Sequence, residues 1–245
     1  MSLSNSQYKR ITSLQQKKYR QKYKLFIAEG IKVVKELLNS SFELETVYTT
    51  EGFEFLSNFN EYVELISDKE LMKISSLKTP NKILGVFKIP DLVDFNHSGL
   101  IVALDAINDP GNLGTIIRLC DWFGISQLIC SKNTVDCYNQ KVIQATMGSI
   151  TRVQINYIDL EDFLLKTNLP IYKADMDGGN VYNTVLPEEA ILILGNEANG
   201  ISPEINALEG NKLTIPRFGK TQETESLNVA TATAILLSEF KRGLK

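Results

Sequence analysis

Residues 100–119, with the sequence LIVALDAINDPGNLGTIIRL, decide the fold. The run Leu100–Leu104 contains no polar residue, which is typical of a strand buried on both faces of a sheet. Residues 108–111 (NDPG) are a turn sequence, and we expect Gly114 to open a helix directly behind the turn. A buried strand, a short loop and a helix are the unit from which parallel α/β sheets are built.

The same alternation continues through the second half of the chain. Short apolar runs separated by helical stretches predict further strands at 127–131, 171–175, 191–195 and 213–215. We therefore predict that residues 98–245 form an α/β domain with a mostly parallel sheet and helices on both faces. Ligands of such sheets bind at the carboxyl ends of the strands, which directs attention to the loops there.

The first part of the chain has a different pattern. In order, it predicts helical structure over 9–39 that Gly30 interrupts, strands at 46–49 and 62–66, and a helix at 68–74. We predict a small N-terminal α/β domain over residues 1–97. The polar stretch 89–99, with its proline and glycine, is the expected linker.

Charge is distributed unevenly between these two parts. Residues 8–35 contain nine basic residues and one acidic residue, a net charge of +8, whereas the whole chain has a net charge of -3. Tyrosines lie among these cations, a combination that suits RNA phosphates and bases. We select Lys17, Lys18, Arg20 and Lys22 as candidate RNA-binding residues. A solvated lysine face on a helix is the alternative that the charge pattern leaves open.

Several classes of protein are excluded. The longest apolar runs have five residues, far fewer than the roughly 18 needed to span a bilayer, and no secretory signal is visible. Cys120, Cys130 and Cys137 lack metal-ligand spacing, so we predict that they are buried free thiols and that the protein binds no metal. Because free thiols are typical of the cytosol, we also predict a cytosolic protein. The single histidine, His97, lies in a polar stretch and is a poor candidate for catalysis.

Three loops at predicted strand ends are candidate binding elements. The first, 105–114, precedes a helix that carries Arg118, and a basic group with helix-terminal amides forms an anion site. The second, 195–203, spaces two glycines as in a phosphate loop, but Ile201 replaces the required lysine and excludes a triphosphate. The third leads from residue 215 to Ser226, which is a candidate helix N-cap. Ordinary connections and capping loops remain the alternatives for all three.

Taken together, the three loops resemble the signature motifs of the SpoU (TrmH) family of RNA ribose 2'-O-methyltransferases. The matching segments are 108–118 with 123–124, then 195–202, then 215–216 with 226–229, and residues 9–38 resemble the N-terminal RNA-binding domain of many members. The resemblance implies a deep trefoil knot, S-adenosylmethionine as cofactor and a homodimer formed through the last helix. It also implies that Gly195, Ile215 and Leu227 contact the cofactor.

The resemblance further implies the roles of the catalytic residues. In the family, the arginine equivalent to Arg118 has been assigned as the base, but a guanidinium stays protonated at neutral pH. We therefore favour Arg118 as a group that holds a phosphate and stabilises the developing alkoxide, with proton removal as the second possibility. Asn112, Glu197, Ser226 and Asn228 are expected to orient Arg118 and the ribose.

Two features depart from the family pattern: residues 220–225 look like an insertion, and Arg217 stands where an apolar residue is commoner.

A non-catalytic RNA-binding protein of the same fold is the alternative function. Such a protein is expected to lose Arg118, Asn112 or Glu197, all of which are present here. A dinucleotide-dependent oxidoreductase is excluded, because the G-x-G-x-x-G fingerprint is absent after the first strand of the sheet.

Overall fold

The computed structural model describes residues 3–91, 98–221 and 226–242. His97 and residues 222–225 of the apparent insertion lie outside the described residues. The chain divides into two compact units, the first formed by 1–92 with 136–151 and the second by 93–135 with 152–245. Residues 136–151 therefore pack with the first unit, although they fall within the range that we predicted for the second domain.

The first unit is built around a four-stranded sheet. Its elements from residues 1–92 are α1 (Asn5–Ser13), α2 (Lys17–Tyr23), β1 (Leu25–Glu29), α3 (Ile31–Leu38), β2 (Leu44–Thr49), β3 (Val63–Leu65), α4 (Asp68–Ile74) and β4 (Ile83–Lys88). The strand order is β1-β4-β2-β3, in which β4 runs antiparallel to both of its neighbours. The sequence predicted an α/β unit here but missed both β1 and β4.

Strand β1 corrects the predicted helical structure over 9–39. Lys24 adopts a left-handed conformation with φ of +53° and ends α2. All five residues of Leu25–Glu29 are then buried, and they pair with β4. A helix at this place would have to be buried on every side, whereas a strand buried on both faces accommodates a continuous apolar run.

The second unit carries the larger sheet. The remaining elements of the chain are β5 (Leu100–Leu104), α5 (Pro110–Trp122), β6 (Gln127–Ser131), α6 (Gln140–Thr146), β7 (Gln154–Ile158), α7 (Leu160–Lys166), β8 (Ile171–Asn180), β9 (Ala190–Leu194), α8 (Pro203–Ala207), β10 (Asn211–Thr214) and α9 (Val229–Lys241). Of these, α6 belongs to the first unit, where it packs on β1. The sheet has the order β10-β8-β9-β5-β6-β7, and every adjacent pair is parallel. The predicted parallel sheet is confirmed, with β7 as an additional strand.

Helices cover both faces of this sheet, as the sequence predicted. On one face, Ile101, Ile129 and Ile193 pack with residues of α7 and α8. On the other face, the ring of Phe240 in α9 meets the ring of Tyr172 in β8 edge to face, at a centroid distance of 5.5 Å, and α5 packs against α9. The start of α5 and the start of α9 can therefore lie close together.

Other sequence predictions concern the cysteines and the membrane. Cys120, Cys130 and Cys137 are reduced and buried, as we predicted. Among the helices in the described part of the chain, none combines the length and apolar character needed to cross a bilayer. Within 3–91, 98–221 and 226–242, no group of three or more His, Cys, Asp or Glu side chains forms a candidate metal site.

Candidate active site

The first two candidate loops start side by side. Leu104 and Leu194, the last residues of β5 and β9, are paired in register, and the N–H of Asp105 donates to the carbonyl of Leu194 at 2.9 Å. The loops that follow these strands therefore leave the sheet from adjacent positions, which is where parallel sheets bind ligands.

Two hydrogen bonds tie these loops together. The carboxylate of Asp105, which is only 6% exposed, accepts the N–H of Ser202 at 2.7 Å. In return, the side-chain amide of Asn196 donates to the carbonyl of Ala106 at 2.7 Å. Sequence reasoning did not single out Asp105 or Asn196, although a polar side chain one or two residues beyond a buried strand was the available signal. The ties fix each loop relative to the other.

The loop after β9 is tight enough to require glycine. Asn196 and Gly200 exchange two backbone hydrogen bonds of 2.8 Å, and Gly200 has a φ of +69°, a conformation that glycine adopts readily. A Cβ atom on Gly195 would lie 2.2 Å from the carbonyl carbon of Gly200 and from the nitrogen of Ile201. The closed loop presents Glu197 as an exposed side chain beside the cavity described below.

Three of the predicted catalytic residues form a continuous hydrogen-bonded chain. The amide group of Asn112 donates to a carboxylate oxygen of Glu197 at 2.8 Å, and the amide group of Asn228 donates to the side-chain oxygen of Asn112 at 2.9 Å. The side-chain oxygen of Asn228 accepts the N–H groups of Ala230 and Thr231 at the start of α9. Because those helix amides can only donate, they fix the orientation of Asn228, which in turn fixes Asn112.

The starts of the two helices differ from the sequence predictions. Helix α5 begins at Pro110, not Gly114, because Asp109 caps it by accepting the N–H of Asn112 at 2.8 Å and proline suits the first helical position. Helix α9 is capped by Asn228 rather than by Ser226. Ser226 is exposed, and its hydroxyl makes no hydrogen bond to any described residue.

A cavity of about 750 Å³ lies at this end of the sheet. All three predicted cofactor contacts line it, namely Gly195, Ile215 and Leu227, as do Glu197 and Ser226. Its volume is within the range of roughly 300 to 1,000 Å³ that is usual for small-molecule sites. The second and third loops thus contribute to one cavity, and the chain through Asn112 and Asn228 connects its wall to both helices.

Arg118 lies farther along α5 than we expected. It is the ninth residue of the helix and therefore belongs to the third turn, not the first turns. Its side chain is exposed, makes no hydrogen bond or ion pair with the described residues, and is not part of the cavity wall. The guanidinium is therefore available to a ligand that reaches the outer surface of α5.

Cys120 lies two residues beyond Arg118 and faces the protein interior. Burial raises the pKa of its thiol to about 12, and the nearby carboxylate of Asp121 acts in the same direction. A thiol of that pKa carries almost no thiolate at neutral pH, and the thiolate is the nucleophilic form. Cys120 is thus a core residue and not a candidate nucleophile.

The four predicted RNA-binding residues are not equivalent. Lys17, Lys18 and Lys22 are exposed on α2, and none of them has an ion-pair partner among the described residues. Arg20, in contrast, is only 2% exposed. Its guanidinium donates to Asp136 at 2.6 and 2.9 Å and to the carbonyls of residues 14 and 15. The prediction that Arg20 is a surface cation is wrong, because these contacts hold it inside the first unit.

We expect Arg20→Ala to lower the free energy of unfolding by about 3 kcal/mol, since removing one partner of a buried ion pair leaves the other charge without compensation. Urea unfolding followed by circular dichroism measures this change. Lys17→Ala is the matched control, because it removes an exposed charge from the same helix and is expected to leave stability within about 0.5 kcal/mol of wild type. Equal stability of the two variants would contradict the structural role of Arg20.

Comparison with family models gives two matches that together span most of the chain. Residues 99–238 match the SpoU rRNA Methylase family. Residues 5–85 match the MRM3-like substrate binding domain. The boundary between the two matches falls within residues 86–98.

Individual relatives match over nearly the full length. The 23S rRNA (guanosine(2553)-2'-O)-methyltransferase RlmP of Bacillus subtilis is 28% identical, and the alignment covers 98% of both chains. The structure of a putative RNA methyltransferase of the TrmH family from Porphyromonas gingivalis is 36% identical with a TM-score of 0.87, covering 98% of this chain and 99% of that one. The AdoMet-bound rRNA methyltransferase from Sinorhizobium meliloti is 28% identical with a TM-score of 0.88, covering 100% and 98%.

Proposed function

Because this chain belongs to the SpoU rRNA methylase family, we propose that it transfers the methyl group of S-adenosylmethionine to a ribose 2'-hydroxyl in rRNA or tRNA. The observation that carries the proposal is the convergence of family-matched loops on one cavity, with the Glu197–Asn112–Asn228 chain beside it. The relatives described above, an rRNA 2'-O-methyltransferase and an AdoMet-bound rRNA methyltransferase, support the same activity.

The cavity fits S-adenosylmethionine in size and in chemistry. When bound, this cofactor supplies an electrophilic methyl group on a positively charged sulfur. Backbone groups would supply most of the contacts that hold it, at Gly195, Ile215 and Leu227. The loop can pack this closely against Gly195 only because glycine has no side chain. Glu197 places a negative charge in the cavity wall, which suits a cationic ligand far better than a triphosphate.

The polar residues would position the ribose and its charge. The hydrogen-bonded chain holds the carboxylate of Glu197 and the amides of Asn112 and Asn228 in fixed orientations, and alignment of reacting groups contributes up to roughly 7 to 11 kcal/mol to catalysis. Ser226 offers a hydroxyl in the cavity wall that bonds to none of the described residues. Arg118 would hold the adjacent phosphate and stabilise the negative charge that develops on the 2'-oxygen.

We assign substrate capture to the N-terminal domain, residues 1–97, and catalysis to residues 98–245. The match of residues 5–85 to a substrate binding domain supports this division. The exposed lysines of α2, Lys17, Lys18 and Lys22, are the cations that we propose to contact RNA phosphates. Arg20 is not one of them, because its guanidinium is engaged with Asp136.

Two architectural features belong to the proposal: a deep trefoil knot and a homodimer. The family membership supports the knot, and an experimental density trace through residues 195–228 tests it. The resemblance implies a dimer formed through the last helix, but within the single chain α9 already buries Val229, Ala230, Thr233, Leu236, Leu237 and Phe240. The dimer is therefore supported instead by Trp122 on the adjacent α5, which is 84% exposed, and sedimentation equilibrium tests it.

A cytosolic location also belongs to the proposal. It is supported by the buried, reduced cysteines.

The function is tested by two measurements on the intact protein. Calorimetry with S-adenosylmethionine is expected to give one site per subunit in the absence of RNA. Mass mapping of ribose methylation in RNA from a deletion strain is expected to show one lost 2'-O-methyl group, which the purified protein restores. If the protein does not bind S-adenosylmethionine at millimolar concentration, its binding free energy is weaker than about -4 kcal/mol. That result would contradict the enzyme function and leave the non-catalytic RNA-binding alternative.

A further inference from the structure

Two tyrosines on α2 are stacked on each other. The rings of Tyr19 and Tyr23 have centroids 6.1 Å apart and planes inclined by only 11°. The residues are four positions apart, so they are neighbours on one face of the helix. Tyr23 is 39% exposed and Tyr19 is partly exposed, which leaves aromatic surface of this pair in contact with solvent.

A lysine accompanies each of the two rings. The ammonium of Lys18 lies 4.8 Å from the ring centroid of Tyr19, and that of Lys22 lies 5.5 Å from the ring centroid of Tyr23. Neither lysine has a carboxylate partner among the described residues. Cation–π contacts at such exposed positions are weak and are readily exchanged for an anion. The surface formed by Lys18, Tyr19, Lys22 and Tyr23 is called the tyrosine platform below.

Arg20 anchors the same helix. Its buried guanidinium bonds to Asp136 and to the chain that precedes α2. A helix of seven residues without a side-chain N-cap would not be stable alone. The buried arginine therefore supplies the anchor that fixes which side of α2 faces solvent, and the platform is presented on a rigid element.

We propose that the tyrosine platform binds an unpaired nucleobase of the RNA substrate, which stacks on the tyrosine rings while Lys18 and Lys22 contact the flanking phosphates. This inference rests on the proposed RNA-directed function and deepens it, because it specifies a single-stranded element in the RNA. Stacking on aromatic rings combined with cations along the backbone is the chemistry by which single strands are bound without strong sequence preference.

The aromatic part of the platform distinguishes single-stranded from duplex RNA. Lysines alone would serve either form, since both present phosphates. In an A-form duplex the base faces are already stacked within the helix, and proteins contact 2'-hydroxyls and phosphates instead. Two parallel rings beside unpaired cations give additional binding only to a base that is free to leave its own stack.

The test uses the full-length protein and a short oligouridylate that carries one 2-aminopurine, whose fluorescence falls on stacking. We expect wild type to quench the fluorescence and the double variant Tyr19→Leu, Tyr23→Leu to bind at least about 10-fold more weakly with little quenching. The variant Tyr19→Phe, Tyr23→Phe keeps the rings and is expected to bind like wild type. Tyr8→Leu is the matched control, because Tyr8 is 37% exposed but has no ring partner among the described residues.

Salt dependence separates the two parts of the platform. The leucine variant should keep the wild-type slope of log affinity against log salt. The double variant Lys18→Gln, Lys22→Gln should reduce the magnitude of that slope by about 0.7 for each phosphate that a lysine no longer neutralises on this single strand. Wild-type affinity and quenching in the folded leucine variant, or equal losses in the leucine and phenylalanine variants, would overturn the platform. Such a result would leave methylation by wild type intact, whereas failure of the proposed function would appear as absence of methylation by wild type itself.

Discussion

Replacing Arg118 with alanine is expected to lower the rate of methyl transfer by at least about 100-fold, the scale of losing one preorganised charge-stabilising group. The fold should be retained, because Arg118 is exposed and bonds to none of the described residues. Affinity for S-adenosylmethionine should also be retained, because Arg118 is not part of the cavity wall. Single-turnover methylation at saturating RNA, together with cofactor calorimetry and thermal unfolding, measures all three quantities.

Arg118→Lys refines the role of the guanidinium. Lysine keeps the positive charge but loses the planar, two-pronged contact with a phosphate. If Arg118→Lys retains the rate of methyl transfer, the reaction needs only a positive charge at this position. If it loses as much rate as Arg118→Ala, the reaction needs the geometry of the guanidinium. Lys166→Ala is the control, since it removes a charge from α7 on the other side of the sheet, where Lys166 pairs with exposed Asp162. Normal methylation by folded Arg118→Ala would refute the assignment.

The site was predictable from the sequence because its residues lie close to turns and strand ends. Buried strands such as 100–104 and 190–194 are recognisable as unbroken apolar runs, and parallel pairing brings their carboxyl ends together. The grouping of Asn112, Glu197 and Asn228 was implied by the family resemblance alone. Their orientation depends on local contacts with Asp109 and with the first amides of α9, whereas the hydrogen bonds between the three side chains join segments more than 80 residues apart.

Features that depend on long-range packing were not predictable in the same way. Strand β1 looked helical because its pairing with β4 connects residues about 60 positions apart. Arg20 looked like a surface cation because its partner, Asp136, lies 116 residues away. Composition and local periodicity contain no information on such partners. The error at Arg20 is informative, since the buried arginine is what holds the exposed lysines and tyrosines of α2 in place.

Gly195 is the residue at which the addition of one methyl group should be most damaging to cofactor binding. Its Cβ would lie 2.2 Å from backbone atoms of Gly200 and Ile201, a distance that only a backbone shift can relieve. That shift would break the paired backbone hydrogen bonds between Asn196 and Gly200. It would also displace the part of the cavity wall to which Glu197 belongs. Overpacking of this kind also lowers stability by about 1 to 3 kcal/mol.

We therefore expect Gly195→Ala to weaken binding of S-adenosylmethionine by at least about 100-fold, which corresponds to roughly 2.7 kcal/mol, as measured by calorimetry. Gly52→Ala is the matched control, because a Cβ there meets no atom within 4 Å and the position lies in the first unit. If Gly195→Ala fails to fold, Asn196→Ala provides the second measurement: it removes the bond to Ala106 and loosens the same loop, with an expected loss of about 10-fold. Wild-type cofactor affinity in both variants would show that this loop does not form the binding site.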